Sequence, residues 1–207
     1  MIKKQTAKFL LAWILANAVG GFLIGFLESN RAQFMATLIF SGAIIGSLHR
    51  AILSWTGKNG LRWVLWPLAS ALGWIISTLI GILLPEPGFI AAATGSQLTQ
   101  VLWINLINQP VWIAGMAIAQ GIILGYHSRQ RFRILGVWLL ASCLGAALNG
   151  AVSVVMGNAV FQALPNTLSG MGQAKGWGSY GVVTGLALLW VLKDSSVGVR
   201  SSLHRQG

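Results

Sequence analysis

Charged residues cut the chain into long apolar runs. No Asp, Glu, Lys or Arg occurs within 9–27, 32–49, 63–85, 87–128, 134–174 or 176–192. A helix needs about 20 apolar residues to cross a ~30 Å hydrocarbon core, and each run can hold a crossing. The pattern predicts membrane spans at 9–27, 33–54, 63–84, 109–127, 134–156 and 177–193. The segment 87–108 is long enough for a seventh, but prolines, Gln and Asn interrupt it. It reads as an extramembrane loop or a short interfacial helix.

A phrase recurs at the start of the odd spans: WILANAVG at Trp13–Gly20, WPLASALG at Trp66–Gly73 and WLLASCLG at Trp138–Gly145. Each even span carries two glycines four residues apart: Gly42 and Gly46, Gly121 and Gly125, Gly181 and Gly185. The order of Trp phrase, loop and glycine pair therefore repeats, which points to three helical hairpins at 9–54, 63–127 and 134–193. Residues 194–207 follow as a cytosolic tail of one membrane domain spanning 1–207. Each hairpin begins and ends on the same side, so the repeats are parallel, related by an axis along the membrane normal. The expected fold is all-α and integral to the membrane, with six transmembrane helices in a pseudo-threefold ring. Glycines four apart share one helix face and let a neighbouring backbone approach, which is how helices associate without a hydrophobic driving force.

Composition agrees with this reading. The chain is 55% apolar and 8% charged, against about 25% charged residues in a soluble domain. Its net charge of +11 would ordinarily raise nucleic acid as a partner, but the positions of the charges argue against one. Lys3, Lys4 and Lys8 precede span one, and Arg50, Lys58 and Arg62 lie between spans two and three. Arg129, Arg131 and Arg133 lie between spans four and five, and Lys193, Arg200 and Arg205 follow span six. Only Arg31 and Lys175 fall on the other side. The positive-inside rule then puts both termini in the cytosol, in a bacterial cytoplasmic or thylakoid membrane. The basic residues also suit anionic lipid at that surface.

The N-terminal MIKK and the apolar run after it imitate a signal peptide. The run has no convincing cleavage site, so it reads as an uncleaved first span. Trp13, Trp63, Trp66 and Trp138 open odd spans, with Trp55 and Trp190 at the same level; Trp103, Trp112 and Trp177 fall near the other face. They read as two interfacial belts, with Trp74 alone deeper.

The W-x-L-A-x-x-x-G and G-x-x-x-G helices resemble those of uncharacterised multi-pass proteins of cyanobacteria and other bacteria. Those proteins place Gln three residues after the second glycine of the pair. Here that position holds His49, Ser128 and Leu188. The resemblance covers most of the chain and implies architecture, with no activity attached. Mitochondrial carriers also have three hairpins, but their P-x-[DE]-x-x-[KR] motif is absent from the odd spans.

Chemistry is sparse. Glu28, Glu86 and Asp194 are the only carboxylates, each at a membrane boundary in a different loop or tail. That removes the usual carboxylate proton relay, the usual sodium site and paired-carboxylate catalysis. His49 and His127 lie near the cytosolic ends of spans two and four, beside Arg50 and Arg129. They read as headgroup-level polar residues rather than as ligands of a haem or metal. Cys143 is alone and offers neither a disulfide nor a zinc site. No G-x-S-G motif accompanies a histidine in the last span, and no phosphate-binding glycine loop occurs. The sequence predicts neither an enzyme nor a metal or cofactor site.

What remains are neutral polar residues inside the spans. Asn17, Ser70 and Ser142 occupy one repeat position, and Ser41, Gln120 and Tyr180 directly precede the glycine pairs; Asn149 lies deep in span five. Each set could line a central pathway or hold helices together by hydrogen bonds. Two functions follow. One is a non-enzymatic structural or accessory subunit, embedded in lipid and packed against a membrane-protein partner through its Gly-rich faces. The other is a small transporter or channel for an uncharged solute. Six-span vitamin-importer subunits share the size but not the threefold repetition.

Overall fold

The computed structural model describes residues 2–32, 39–55, 61–83, 97–126, 128–157, 168 and 170–203. Among the described residues the chain is helical, without strands. The elements are α1 (Ile2–Leu27), α2 (Ser41–Ser54), α3 (Leu61–Leu83), α4 (Gln97–Gly125), α5 (Arg131–Gly157) and α6 (Met171–Leu203). A wide π turn, Glu28–Ala32, continues α1. There Ser29 Oγ donates to the Gly25 carbonyl at 2.8 Å and Asn30 Nδ2 to the Phe26 carbonyl at 2.7 Å.

Among the described residues, four stretches are long and apolar enough to cross a membrane: Lys4–Asn30, Trp63–Leu83, Thr99–Gly125 and Arg131–Val154. These belong to α1, α3, α4 and α5, and they make the chain an integral membrane protein by length and composition. Their outward faces are apolar, as at Leu11, Leu15, Val19 and Leu23 of α1 or Leu68, Leu72 and Ile76 of α3, all exposed.

One sequence expectation is corrected. The stretch 97–108 is neither a loop nor a separate interfacial helix, because α4 runs without a break from Gln97 through Pro110 to Gly125. Asn105, a residue type that punctuates loops, is absorbed by the helix itself: its Nδ2 donates to the carbonyl of Val101 at 2.9 Å. Residues 171–176, which fall between the fifth and sixth predicted spans, likewise form the start of α6. Residues 87–96, 158–167 and 169, together with His127 and residues 33–38 of the second predicted span, lie outside the described residues.

Each helix packs on its chain neighbours, and α6 returns to pack on α1, so the six close into a ring. Glycines set the spacing. A Cβ at Gly42 would fall 2.5 Å from the Ser70 carbonyl oxygen, and one at Gly46 2.7 Å from Ser70 Cβ. Gly121 faces Leu135 and Trp138, Gly125 faces Arg131, Gly181 faces Ile14 and Asn17, and Gly185 faces Leu10 and Trp13. The pairs on α2, α4 and α6 thus abut α3, α5 and α1 in turn. The closing glycines of the Trp phrases face the same way round the ring, each toward the next helix: Gly20 meets Ile45 of α2, Gly73 meets Gly115 of α4 and Gly145 meets Tyr180 of α6. Glycine-rich faces are therefore used up inside the ring, where they let backbones approach.

Candidate functional site

The space left by the glycines is filled by large rings. Trp13, Trp66 and Trp138, one from each odd-numbered helix, have no exposed surface. Trp138 meets Trp13 edge-on at 6.4 Å and Trp66 at 6.0 Å between centroids. The imidazole of His49, from α2, completes the group: it stacks on Trp13 at 3.9 Å and meets Trp66 edge-on at 6.4 Å. Around them pack Leu53, Ala117, Leu124, Ile134 and Leu188. A second cluster, including Ile45, Trp74, Met116, Trp177 and Tyr180, fills the other half.

This overturns the two-belt reading of the tryptophans. Trp55 and Trp103 are exposed, at 70% and 49%, as belt residues would be, whereas Trp13, Trp63, Trp66, Trp138 and Trp177 are buried, as is Trp74, the one expected to lie deeper. The indole is large enough to fill the gap that a glycine on the facing helix leaves, and such packing replaces the hydrophobic effect inside a bilayer. The expectation for His49 is overturned too. Successive helical residues point about 100° apart, so Arg50 stays exposed while its neighbour His49 is fully buried.

The polar residues sit within this packing and bond in pairs across each hairpin. Asn17 Nδ2 donates to the Trp13 carbonyl at 2.8 Å, which turns Asn17 Oδ1 toward His49 Nε2 at 3.1 Å. Nε2 must then be the donor, and the neutral ring keeps its lone pair on Nδ1. Ser70 Oγ donates to the Trp66 carbonyl at 2.7 Å and accepts from Gln120 Nε2 at 2.8 Å. Tyr180 donates its hydroxyl to Ser142 Oγ at 3.4 Å, a long contact. Trp13 Nε1 donates to Thr184 Oγ1 at 3.1 Å, and Thr184 donates to the Tyr180 carbonyl at 2.9 Å.

The two sets singled out in the sequence are therefore brought together, with one substitution. Gln120 and Tyr180 meet Ser70 and Ser142, but Asn17 meets His49, whereas Ser41 lies buried at the start of α2. Asn149 is not part of the group. It accepts from Ser153 at 3.3 Å, and Gly176 of α6 packs against it. Thr184 was missed because a lone Thr in an apolar helix gives no signal.

Several buried polar atoms have no hydrogen-bond partner: His49 Nδ1, Gln120 Oε1, and the indole N–H groups of Trp66 and Trp138. Two are acceptors and two are donors. Among the described residues, no three of His, Cys, Asp and Glu stand close enough to share a metal ion. The arrangement is a packed aromatic and amide core with surplus hydrogen-bonding capacity. Comparison with protein-family models, with curated proteins and with solved structures returns no match.

Proposed function

We propose that this chain is a non-enzymatic membrane protein that serves as a structural or accessory subunit of a membrane complex. In this reading α2 and α6 also cross the bilayer, the ring is three parallel pseudo-repeated hairpins, and both termini are cytosolic in a bacterial cytoplasmic or thylakoid membrane. The observation that carries it is the filled centre. Trp13, Trp66, Trp138, His49, Asn17, Ser70, Gln120, Ser142 and Thr184 all have zero exposed surface, so no water-sized space touches them. A conducting or solute-holding pathway needs a lining that such a molecule can reach. The apolar outer faces of α1 and α3 are free for lipid or another membrane protein.

A second reading, a transporter for a small uncharged solute, is favoured by the surplus polar atoms. His49 Nδ1 and Gln120 Oε1 could accept, and the Trp66 and Trp138 N–H groups could donate, if the rings moved apart. One experiment separates the two. Proteoliposomes are challenged osmotically with glycerol, urea and water, and their swelling is compared with empty vesicles. Equal rates, together with a reproducible membrane-protein partner cross-linked in native membranes, support the accessory reading. Faster swelling that is lost in Gln120→Leu supports transport.

A further inference from the structure

A groove of about 350 Å³ opens on the outer surface between α4 and α5. Its floor is made by Gly121 and Gly125, both buried, and its walls by Ile122, Leu135, Tyr126 and Phe132. Arg131 lies at its end, with the guanidinium carbon 5.0 Å from the centre of the Phe132 ring. Tyr126 and Phe132 are 70% and 74% exposed.

The groove combines two chemistries along its length. Near Ile122, Gly121 and Leu135 it is apolar and sits within the bilayer-compatible part of α4. At the other end the turn after α4 supplies Arg129, Arg131 and Arg133, all exposed, and no carboxylate occurs between Glu86 and Asp194 in the sequence. Arg133 is engaged by Gln130 at 3.0 Å and by the Trp190 ring at 4.9 Å. Arg131 lines the groove with its guanidinium beside the neighbouring Phe132 ring.

We infer that this groove is a binding site for one anionic phospholipid. An acyl chain lies over Gly121 and Gly125 between Ile122 and Leu135, and the phosphate meets Arg131, with Tyr126 and Phe132 flanking the glycerol region. Charge complementarity argues for the anionic headgroup, and the apolar walls at Ile122 and Leu135 suit an acyl chain. The inference rests on this turn lying at the membrane surface, and it does not depend on either function proposed above.

The test uses the full chain purified in detergent and native mass spectrometry. Phosphatidylglycerol and phosphatidylcholine of matched acyl chains are added separately at equal concentration. The wild type is expected to retain one phosphatidylglycerol at least fivefold more than phosphatidylcholine. Arg131→Gln should reduce the phosphatidylglycerol adduct about fivefold, the factor expected for one basic residue near a lipid surface. Ile122→Trp should fill the groove and lower retention of both lipids. Lys4→Gln with Lys8→Gln, on the exposed start of α1, should leave the adduct unchanged. Excess inorganic phosphate should not displace the lipid, since the chain anchors it. Equal retention of the two lipids, or an adduct that survives both Arg131→Gln and Ile122→Trp, overturns the site. Loss of the adduct in the Lys4 and Lys8 variant would overturn it as well, reassigning the effect to general charge. An unchanged melting temperature in each variant shows that the loss is not unfolding.

Discussion

The imidazole of His49 lies on the indole of Trp13, centroids 3.9 Å apart and planes 18° from parallel, while its Nε2 donates to Asn17 at 3.1 Å. One side chain of α2 thereby fastens two successive turns of α1, since Trp13 and Asn17 stand four residues apart on one face. The link joins the two helices of the first hairpin at the centre of the ring.

Replacing His49 should be costly for stability. His49→Ala opens a cavity beside Trp13 and Trp66 and leaves Asn17 Oδ1 buried without its donor. The expected loss is about 2–4 kcal/mol. His49→Phe keeps a ring on Trp13 and should lose less. Thermal unfolding in detergent, followed by tryptophan fluorescence, checks the order: wild type, then Phe, then Ala. A melting temperature unchanged in His49→Ala would remove the residue from the core.

The glycines should divide sharply by position. At Gly73 an added methyl would run into the backbone carbonyl of Gly115, which cannot swing aside, so Gly73→Ala must push α3 from α4. Overpacking of this kind costs about 1–3 kcal/mol. At Gly136, also helical, nothing lies within 4 Å of the added carbon. Gly136→Ala should be neutral or slightly stabilising. Melting temperatures of the two variants measured side by side decide the matter.

A double-mutant cycle on Ser70 and Gln120 measures their bond, which is 2.8 Å long and wholly buried. Membrane hydrogen bonds average about 0.6 kcal/mol of coupling and reach about 1.7. Ser70→Ala, Gln120→Leu and the double variant should give a coupling within that range. Zero coupling would mean that the two side chains are packed side by side without a functional bond.

The proposed topology rests on the distribution of Lys and Arg and is open to direct labelling. In a Cys143→Ser background, single Ser29→Cys, Ser54→Cys and Tyr126→Cys variants place thiols at exposed positions. An impermeant maleimide added to spheroplasts should label only Ser29→Cys. Added to inverted vesicles, it should label the other two. The reverse pattern would place the termini outside.

Much of the helical layout could be read from the sequence, because charge-free runs mark helices in apolar surroundings whatever they pack against. The extent of α4 could not, since Asn105 looks like a loop residue until its amide is seen bonded to the carbonyl one turn back. Polar composition alone does not distinguish those cases. The sets Asn17, Ser70, Ser142 and Ser41, Gln120, Tyr180 stand out by their repeat positions, and two pairs meet, Ser70 with Gln120 and Ser142 with Tyr180, whereas Asn17 meets His49 in place of Ser41. His49 was misjudged because its sequence neighbour Arg50 suggested water, whereas helical geometry separates their faces. The tryptophans were misplaced for a related reason. An indole suits both a headgroup and a glycine-lined gap, and only the facing helix tells which one it occupies.

The measurement closest to the central claim is an experimental structure in lipid nanodiscs, inspected between Trp13, Trp66, Trp138 and His49. The account predicts rings in direct contact, with no density for solvent or ligand among them. Ordered water or a small molecule bridging His49 Nδ1 and Gln120 Oε1 would contradict the sealed centre and turn the search to a transported solute.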